Sequence, residues 1–257
     1  MHATRNEPGN ETMDVFTLTD VGREREENQD FVYQGATKYF PLVLMVADGM
    51  GGYAGGSLAS RKAVECVAEA MKNMRPDPAL LKQAVEMANR RILEIARNMP
   101  VAYHSMGTTL VVAACTENKV LLAHVGDSRA YLLHKQTLQQ LTTDHSYVQH
   151  LVEKGKMTSE EARVSPYRSM ITRALGMENL EVDLIETSVE KGDILLLCSD
   201  GLSSYFSNEE LQRYLEVKET AEQKAKTLLK AALERGGSDN ISVALAIAGA
   251  EGGCDNE

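Results

Sequence analysis

The sequence contains no tryptophan, few aromatic residues and no excess of basic charge. Aromatic residues make up 5% of its 257 residues, and 27 Lys and Arg residues stand against 37 Asp and Glu residues, which gives a net charge of -10. Proteins that bind nucleic acid without regard to its sequence need a basic surface. We therefore expect no nucleic-acid partner, and an anionic substrate would need local positive charge from an arginine or a metal ion.

Long apolar runs are also missing. No stretch approaches the ~20 residues that a membrane-spanning helix requires, and no basic segment followed by an apolar one indicates a signal peptide. The cysteines show no CxxC spacing; they are Cys66, Cys115, Cys198 and Cys254. Unpaired thiols that pack as small apolar side chains are typical of a reducing compartment. These absences predict a cytoplasmic protein without membrane contact.

The chain has no Pro-rich or Ser-rich linker and no low-complexity block. We expect one domain over residues 13–249, acting as a monomer, with loose tails at residues 1–12 and 250–257. Apolar runs predict strands, and apolar residues at helical spacing predict two long helices. The predicted strands cover residues 15–21, 30–34, 42–47, 180–189, 194–198 and 241–248, and the predicted helices cover residues 55–73 and 78–98.

The period of the apolar residues changes after the second helix. Residues 107–142 alternate short apolar runs with turn residues, which predicts an antiparallel meander. A more polar helical segment follows over residues 145–163, and capping boxes that begin at Ser207 and Thr220 predict two further helices. Strands in runs and helices in pairs favour an α+β fold of antiparallel sheets covered by helices, and not repeated βαβ units.

Aspartates recur at the ends of these predicted strands. Asp48 and Asp200 follow apolar runs and precede a glycine, Asp30 opens a strand, Asp127 lies in a turn, and Asp239 precedes the last strand. Asp-Gly is a common turn dipeptide, so each occurrence alone indicates only a turn. Five carboxylates gathered at one edge would repel one another, and divalent cations relieve such repulsion. Because no His or Cys joins them, the pattern favours Mg²⁺ or Mn²⁺ over Zn²⁺.

A competing interpretation uses the glycines instead. Gly49, Gly51 and Ala54 match G-x-G-x-x-A between a strand and a helix, which is the pattern of a dinucleotide-binding loop. A second helix follows the first, however, so the βαβ unit does not close. The charge of Asp48 would also face the phosphates that such a loop binds. Both features argue against a dinucleotide site.

Seven motifs follow one another along residues 14–248: TDVGREREENQD, VADGMGG, GTTL, HVGDSRAYL, TRALG, LLLCSDGL and GGSDNISV. Together they resemble the metal-dependent protein phosphatases of the type 2C class, and most of all their bacterial members. The resemblance implies a four-layer α-β-β-α sandwich, in which two antiparallel sheets are flanked by helix pairs and carry a helical flap. It also implies hydrolysis of phosphoserine and phosphothreonine by a water molecule, without a covalent intermediate.

The same resemblance implies a role for each aspartate. Asp48 would bridge two Mn²⁺ or Mg²⁺ ions and Gly49 would offer its carbonyl oxygen to one of them. Asp200 and Asp239 would hold the first ion, Asp30 would support the second, and Asp127 with Asp200 would hold a weaker third. Asp48 and Arg25 are thus the expected catalytic residues.

Arg25 is the expected phosphate-binding residue, and Arg23 is its neighbouring candidate. Alternation along an extended strand would put both on one face. Met50 stands where some eukaryotic members carry a histidine that acts as a proposed acid, so here the acid would be water. His124 lies in an apolar strand, which favours a core histidine with satisfied hydrogen bonds.

The partners implied by the resemblance are phosphorylated proteins, the substrates of a Ser/Thr kinase. Two alternatives remain. A catalytically silent relative would bind phosphoproteins without hydrolysing them, although no expected metal ligand is missing from this sequence. A hydrolase of small phosphate esters would use the same two-metal centre, because such a centre recognises phosphate and not the attached group.

Residues 145–176 form a segment too long for a plain connection, since loops beyond ~12–15 residues are usually functional or disordered. A capping box at Thr158 indicates helix and therefore order. One interpretation is a packed insertion without a chemical role. The other is a flap beside the metal centre, where the family has its variable insertion, with Arg163, Arg168 and Arg173 binding a phosphorylated, acidic partner.

Overall fold

Eleven strands and seven α-helices form in residues 13–52 and 55–249, the part of the chain that the computed structural model describes. The strands are β1 (Asp14–Asp20), β2 (Asp30–Gly35), β3 (Leu42–Met50), β4 (Gly107–Thr108), β5 (Leu110–Cys115), β6 (Lys119–Val125), β7 (Arg129–His134), β8 (Thr137–Gln140), β9 (Asp183–Ser188), β10 (Ile194–Cys198) and β11 (Ile241–Ile247). The helices are α1 (Gly55–Met71), α2 (Pro78–Asn98), α3 (Tyr147–Glu153), α4 (Ser159–Val164), α5 (Asp200–Ser203), α6 (Asn208–Glu216) and α7 (Ala221–Glu234).

The strands form two sheets in which every pairing is antiparallel. The first sheet has the order β1-β11-β10-β7-β8, and the second has the order β2-β3-β5-β6-β9 with the short β4 added beside β3. This arrangement matches the expected α+β class. It also contradicts a dinucleotide-binding βαβ unit, because β3 has antiparallel neighbours and two consecutive helices follow it.

The central strands carry long apolar runs because both of their faces are buried. In β3, Leu44 and Val46 pack between the two sheets, whereas Val43 and Met45 pack against α1 and α2. β10 alternates in the same way between the other sheet and the helices α6 and α7. Successive strand side chains point to opposite faces, so three apolar layers separate four layers of secondary structure. The predicted α-β-β-α sandwich is confirmed.

The capping patterns begin helices where they were predicted. The side chains of Ser207, Thr220 and Thr158 each accept a hydrogen bond from the backbone N–H three residues later. In each case the Glu or Gln side chain at that later position accepts the backbone N–H of the capping residue. Asp77 caps α2, whose first residue is Pro78. Each cap satisfies helix N–H groups that have no partner within the helix.

The predicted meander is not a single sheet. β5 and β6 belong to the second sheet and β7 and β8 to the first, so the chain crosses between sheets at Gly126 and Asp127. β3 is also longer than predicted, because Gly49 and Met50 pair with β4 after the pairing with β5 has ended. The predicted helix over 145–163 is divided into α3 and α4 at Gly155, whose positive φ of 64° interrupts the helix.

The thiols of Cys115 and Cys198 are buried and unpaired, and Cys66 is half-buried. Cys254 and the predicted tails lie outside the described residues. No helix in the described part of the chain combines the length and the apolar composition needed to cross a bilayer. The boundaries 13–249 for a single domain and 145–176 for a flap stay predictions.

Candidate metal centre

The five predicted aspartates lie together at one end of the sandwich. Asp30 and Asp48 are directly opposite each other in β2 and β3 of the second sheet. Asp200 begins α5 after β10, and Asp239 precedes β11, so both come from the first sheet. Asp127 lies at the crossing between the sheets. The charges of the other four aspartates all act on Asp48, which identifies it as the centre of the group.

Burial and mutual repulsion disfavour the ionised form of these carboxyl groups. Burial, aided by the charges of Asp200 and Asp239, raises the pKa of Asp30 to about 7. Burial also raises the pKa of Asp48 and Asp127 well above the ordinary range, and that of Asp200 above it. A carboxyl group whose pKa is raised by folding destabilises the folded state as the pH rises from the unfolded pKa to the folded pKa. At neutral pH the ionised carboxylates of these aspartates therefore require positive charge beside them.

Three carboxylate oxygens in this group have no hydrogen-bond partner among the described residues. They are Oδ1 of Asp30, Oδ1 of Asp127 and Oδ1 of Asp200, and all three are inaccessible to solvent. A buried oxygen without a hydrogen-bond partner lowers the stability of the fold by ~1–3 kcal/mol, and by more when it is charged. Orphaned, oxygen-only donors are the ligands that hard divalent cations prefer. The residues present therefore fit Mn²⁺ or Mg²⁺.

The backbone around Asp48 is held from both sides. The hydroxyl of Thr109 accepts the Asp48 N–H at 3.0 Å, and the N–H of Thr109 and the hydroxyl of Thr108 both donate to the Asp48 carbonyl, each at 2.9 Å. Gly49 lies so close to the start of α1 that a Cβ atom there would be 2.2 Å from the carbonyl oxygen of Gly56. Only glycine fits at this position.

Two residues without a predicted role support the site. The buried Ser199 donates from its hydroxyl to Oδ2 of Asp30 at 2.8 Å and accepts the N–H of Ser242 at 3.0 Å. Asn240 accepts the N–H of Gln29 and donates to the carbonyl groups of residues 21 and 27. Ser199 thus joins the two sheets, and Asn240 fixes the loop before β2. Their places in SDGL and SDN were the only sequence signal.

Arg23 lies in a turn and Arg25 lies between that turn and the bend at residues 26–27, so the predicted strand alternation was wrong. Arg23 donates from Nε to the carbonyl of Leu233 at 2.8 Å, away from the carboxylates. Arg25 forms an ion pair with Asp239 at 2.8 Å, and the charges of Asp48 and Asp200 also raise its pKa. The Arg25 side chain stays 57% exposed. Its guanidinium therefore lies at the rim of the centre, where a solvent-borne anion can reach it.

The arginines of the 145–176 segment differ in their surroundings. Arg163 and Arg168 are exposed, and neither forms an ion pair with another described residue. Arg173 is half-buried and pairs with Asp183 and Glu181, each at 3.1 Å. Arg173 is therefore held by two carboxylates at the base of the segment, and its binding of a partner stays a prediction.

Comparisons with known proteins agree with this architecture. The profile of the family described as Protein phosphatase 2C matches residues 22–236. Protein phosphatase PhpP of Streptococcus pneumoniae is 36% identical over 239 residues, which cover 91% of this chain and 96% of PhpP. The solved serine/threonine phosphatase PstP/Ppp of Mycobacterium tuberculosis has a TM-score of 0.85 and 38% identity, covering 92% of this chain and 98% of its own. The catalytic domain of PstP in complex with two manganese ions has a TM-score of 0.82 and 38% identity, covering 91% of this chain and 97% of its own.

We expect Asp48→Ala and Asp239→Ala to abolish Mn²⁺ binding at the centre while the fold survives. Each change removes a donor but also relieves repulsion, so the denaturation midpoint in metal-free buffer should not fall. Calorimetric Mn²⁺ titration and urea unfolding measure the two effects. Glu69→Gln, on the exposed face of α1, is the control with the same loss of charge. A Mn²⁺ isotherm equal to that of the wild type would show that these ligands are misassigned.

Proposed function

The chain belongs to the protein phosphatase 2C family, and we propose that its carboxylate centre provides the activity of that family, metal-dependent hydrolysis of phosphoserine and phosphothreonine in proteins. The observation that carries this function is the meeting of five aspartates from both sheets beside an exposed arginine. Neither a lone acidic turn nor a lone arginine would suffice, because the reaction needs bound cations and a group that holds the phosphate.

The aspartates are the proposed ligands of two Mn²⁺ or Mg²⁺ ions. Asp48 would be shared by both ions, the Gly49 carbonyl and Asp30 would help to hold one, Asp200 and Asp239 would hold the other, and Asp127 with Asp200 would provide a weaker third site. When bound, such ions activate a water molecule and stabilise the charge on the phosphoryl group. Arg25 presents a planar fork of donors that matches phosphate oxygens, which lysine cannot reproduce.

The side chains beside Asp200 supply no nucleophile, which supports attack by water. Burial raises the pKa of the Cys198 thiol to about 12, so the reactive thiolate does not form at neutral pH. The Ser199 hydroxyl already donates to Asp30 and accepts from Ser242. Met50 cannot donate a proton to the leaving alkoxide, and we propose that water does so.

The purified protein should hydrolyse a phosphothreonine peptide only when Mn²⁺ or Mg²⁺ is present, because the carboxylate oxygens of the centre are ligands for these ions. A chelator that removes the ions should abolish the activity. Phosphate release from the phosphopeptide, a small aryl phosphate and free nucleotides measures the selectivity. Turnover by rigorously metal-free protein would refute the proposal. Binding of the peptide without turnover would identify the silent relative, and faster turnover of nucleotides would identify the small-ester hydrolase.

Arg25→Ala should reduce turnover of the phosphopeptide by about 10²-fold, the usual cost of losing one preorganised donor at a developing charge. Mn²⁺ affinity should change little. Arg23→Ala is the matched control, since Arg23 binds the Leu233 carbonyl at the end of α7. Steady-state kinetics on both variants decide between the arginines. A large loss in Arg23→Ala and none in Arg25→Ala would contradict the assignment.

We further propose that the 145–176 segment selects protein substrates. Arg163 and Arg168 lie in an exposed stretch with the apolar side chains of Val164, Tyr167 and Met170, which are 75%, 56% and 52% exposed. Exposed apolar residues beside basic ones suit a protein partner that carries phosphate and acidic residues. The partners would be substrates of a Ser/Thr kinase.

A monomeric, cytoplasmic protein that does not bind nucleic acid agrees with the net charge of -10 and the unpaired buried thiols.

Charge reversal with Arg163→Glu and Arg168→Glu should raise KM for an acidic phosphopeptide severalfold, because the variant repels the peptide. A small aryl phosphate that does not reach the segment should be turned over as before. Arg75→Glu, in the connection between α1 and α2, with Arg90→Glu, on the exposed surface of α2, makes the same change in net charge and is the control. Equal losses on both substrates would mean that the segment supports the fold and selects nothing.

A further inference from the structure

His145 forms hydrogen bonds to both the N–H and the carbonyl group of Gly126, the residue that precedes Asp127. Its ring nitrogen Nδ1 accepts the N–H of Gly126 at 3.0 Å, and its backbone N–H donates to the carbonyl of Gly126 at 2.8 Å. Gly126 has a φ of 109°, and a Cβ atom there would lie 2.6 Å from the Cβ atom of Thr109. The crossing between the sheets therefore has one tight conformation, and the next residue in it is Asp127.

The second ring nitrogen of His145 reaches a carboxylate. Nε2 lies 3.1 Å from Oδ2 of Asp183, whose other oxygen accepts from Arg173 at 3.1 Å. A neutral imidazole donates from one nitrogen and accepts on the other. Because Nδ1 accepts the Gly126 N–H, the proton belongs on Nε2 and is donated to Asp183. Asp183 thus selects the tautomer that can bind Gly126.

The alternative is a metal site made from the same residues. His124, His145 and Asp183 each offer one donor atom within 4.8 Å of the others, and neither ring nitrogen of the buried His124 has a partner among the described residues. A histidine that binds a metal usually donates its other N–H to an acceptor, whereas His145 accepts an N–H there. The Arg173 guanidinium, 3.2 Å from Nε2, would also repel a cation.

His124 instead packs its ring against His145, with centroids 4.7 Å apart. It is also the cross-strand neighbour of Asp183. Burial lowers the pKa of His124 to about 4, so its ring is neutral at physiological pH and adds no charge beside Arg173. These contacts limit the space in which the His145 ring can turn.

We propose that His145, in the tautomer selected by Asp183, is a positioning residue that aims the Asp127 carboxylate at the metal centre. The N–H of Thr172 donates to the His145 carbonyl at 2.7 Å, and Arg173 holds Asp183, so the base of the 145–176 segment belongs to the same bonded unit. The effect on metal binding rests on the proposed function, in which Asp127 is a ligand of the weaker third ion.

Calorimetric Mn²⁺ titration tests this effect on the whole protein. Asp127→Asn defines the weakest class of sites by removing it. His145→Ala should weaken that same class by roughly 10-fold or more, as loss of an outer hydrogen-bond partner does, and leave the tighter sites unchanged. His145→Asn, whose amide oxygen can replace Nδ1 as acceptor, should restore most of the affinity. His134→Ala, which breaks the other His–Asp pair at the opposite end of β7, is the control.

Two measurements on metal-free protein separate positioning from a general loss of structure. Nitrogen-15 NMR of the wild type should find His145 protonated at Nε2, and Asp183→Ala should shift protonation toward Nδ1, because Arg173 then favours an unprotonated Nε2. Hydrogen exchange of the Gly126 amide should accelerate at least tenfold in His145→Ala and Asp183→Ala, but not in His134→Ala.

A wild-type ring protonated at Nδ1, unchanged Gly126 exchange, or weakest-class Mn²⁺ affinity that His145→Ala leaves intact would each overturn the proposal. Zn²⁺ binding by the wild type that His124→Asn abolishes would overturn it in favour of a metal site. These readouts do not need turnover. A failure to hydrolyse phosphopeptides would refute the proposed function and leave the tautomer and exchange results standing.

Discussion

The repulsion among buried carboxylates is the constraint on which the functional end of this molecule depends. Asp30 and Asp127 are buried and Asp48 and Asp200 are half-buried. Loss of contact with water, aided by the other negative charges, raises the pKa of all four carboxyl groups. Such a group destabilises a fold unless cations offset it. Within the described residues, Arg25 at the rim forms its ion pair with Asp239, and Arg129 only partly offsets the charges of Asp127 and Asp200. The arrangement persists because the apolar layer between the sheets stabilises the sandwich independently of this edge. The centre therefore destabilises the fold locally, and the stability of the core offsets this effect until divalent ions bind.

The alternation of strand side chains explains why so much of the fold could be predicted from sequence. The runs in β3 and β10 are apolar at every position because each faces a sheet on one side and helices on the other. An aspartate directly after such a run needs a reason of its own, and this identified Asp48 and Asp200. The helix caps were predicted equally well, since a cap involves only residues three apart in the chain.

Contacts between distant residues were not predictable in the same way. Short apolar runs do not state which sheet they join, so the crossing at Gly126 was interpreted as one more turn of a meander. Arg23 and Arg25 were assigned to one face, yet the 21–28 stretch is a turn and a bend held by Asn240, more than 200 residues away in the chain. His124 was interpreted as a satisfied core histidine. It is buried, and its ring nitrogens have no hydrogen-bond partner in the described part of the chain, whereas its neighbours His145 and Asp183 bind other groups.

The proposed function divides phosphate recognition from protein recognition. In it, the aspartates and Arg25 bind the phosphoryl group, and the Arg25 side chain is 57% exposed, so this position leaves room for many different substrates. We have proposed that selectivity comes from the 145–176 segment, in which Arg163, Arg168 and three apolar side chains are exposed. The base of that segment is bonded through Arg173, Asp183 and His145 to the turn of Asp127. If the segment binds substrates as proposed, a substrate that displaced it would also act on the turn that carries Asp127. Protein recognition and ion binding would then share this bonded unit, and a small phosphate ester that contacted only the centre would leave it unchanged.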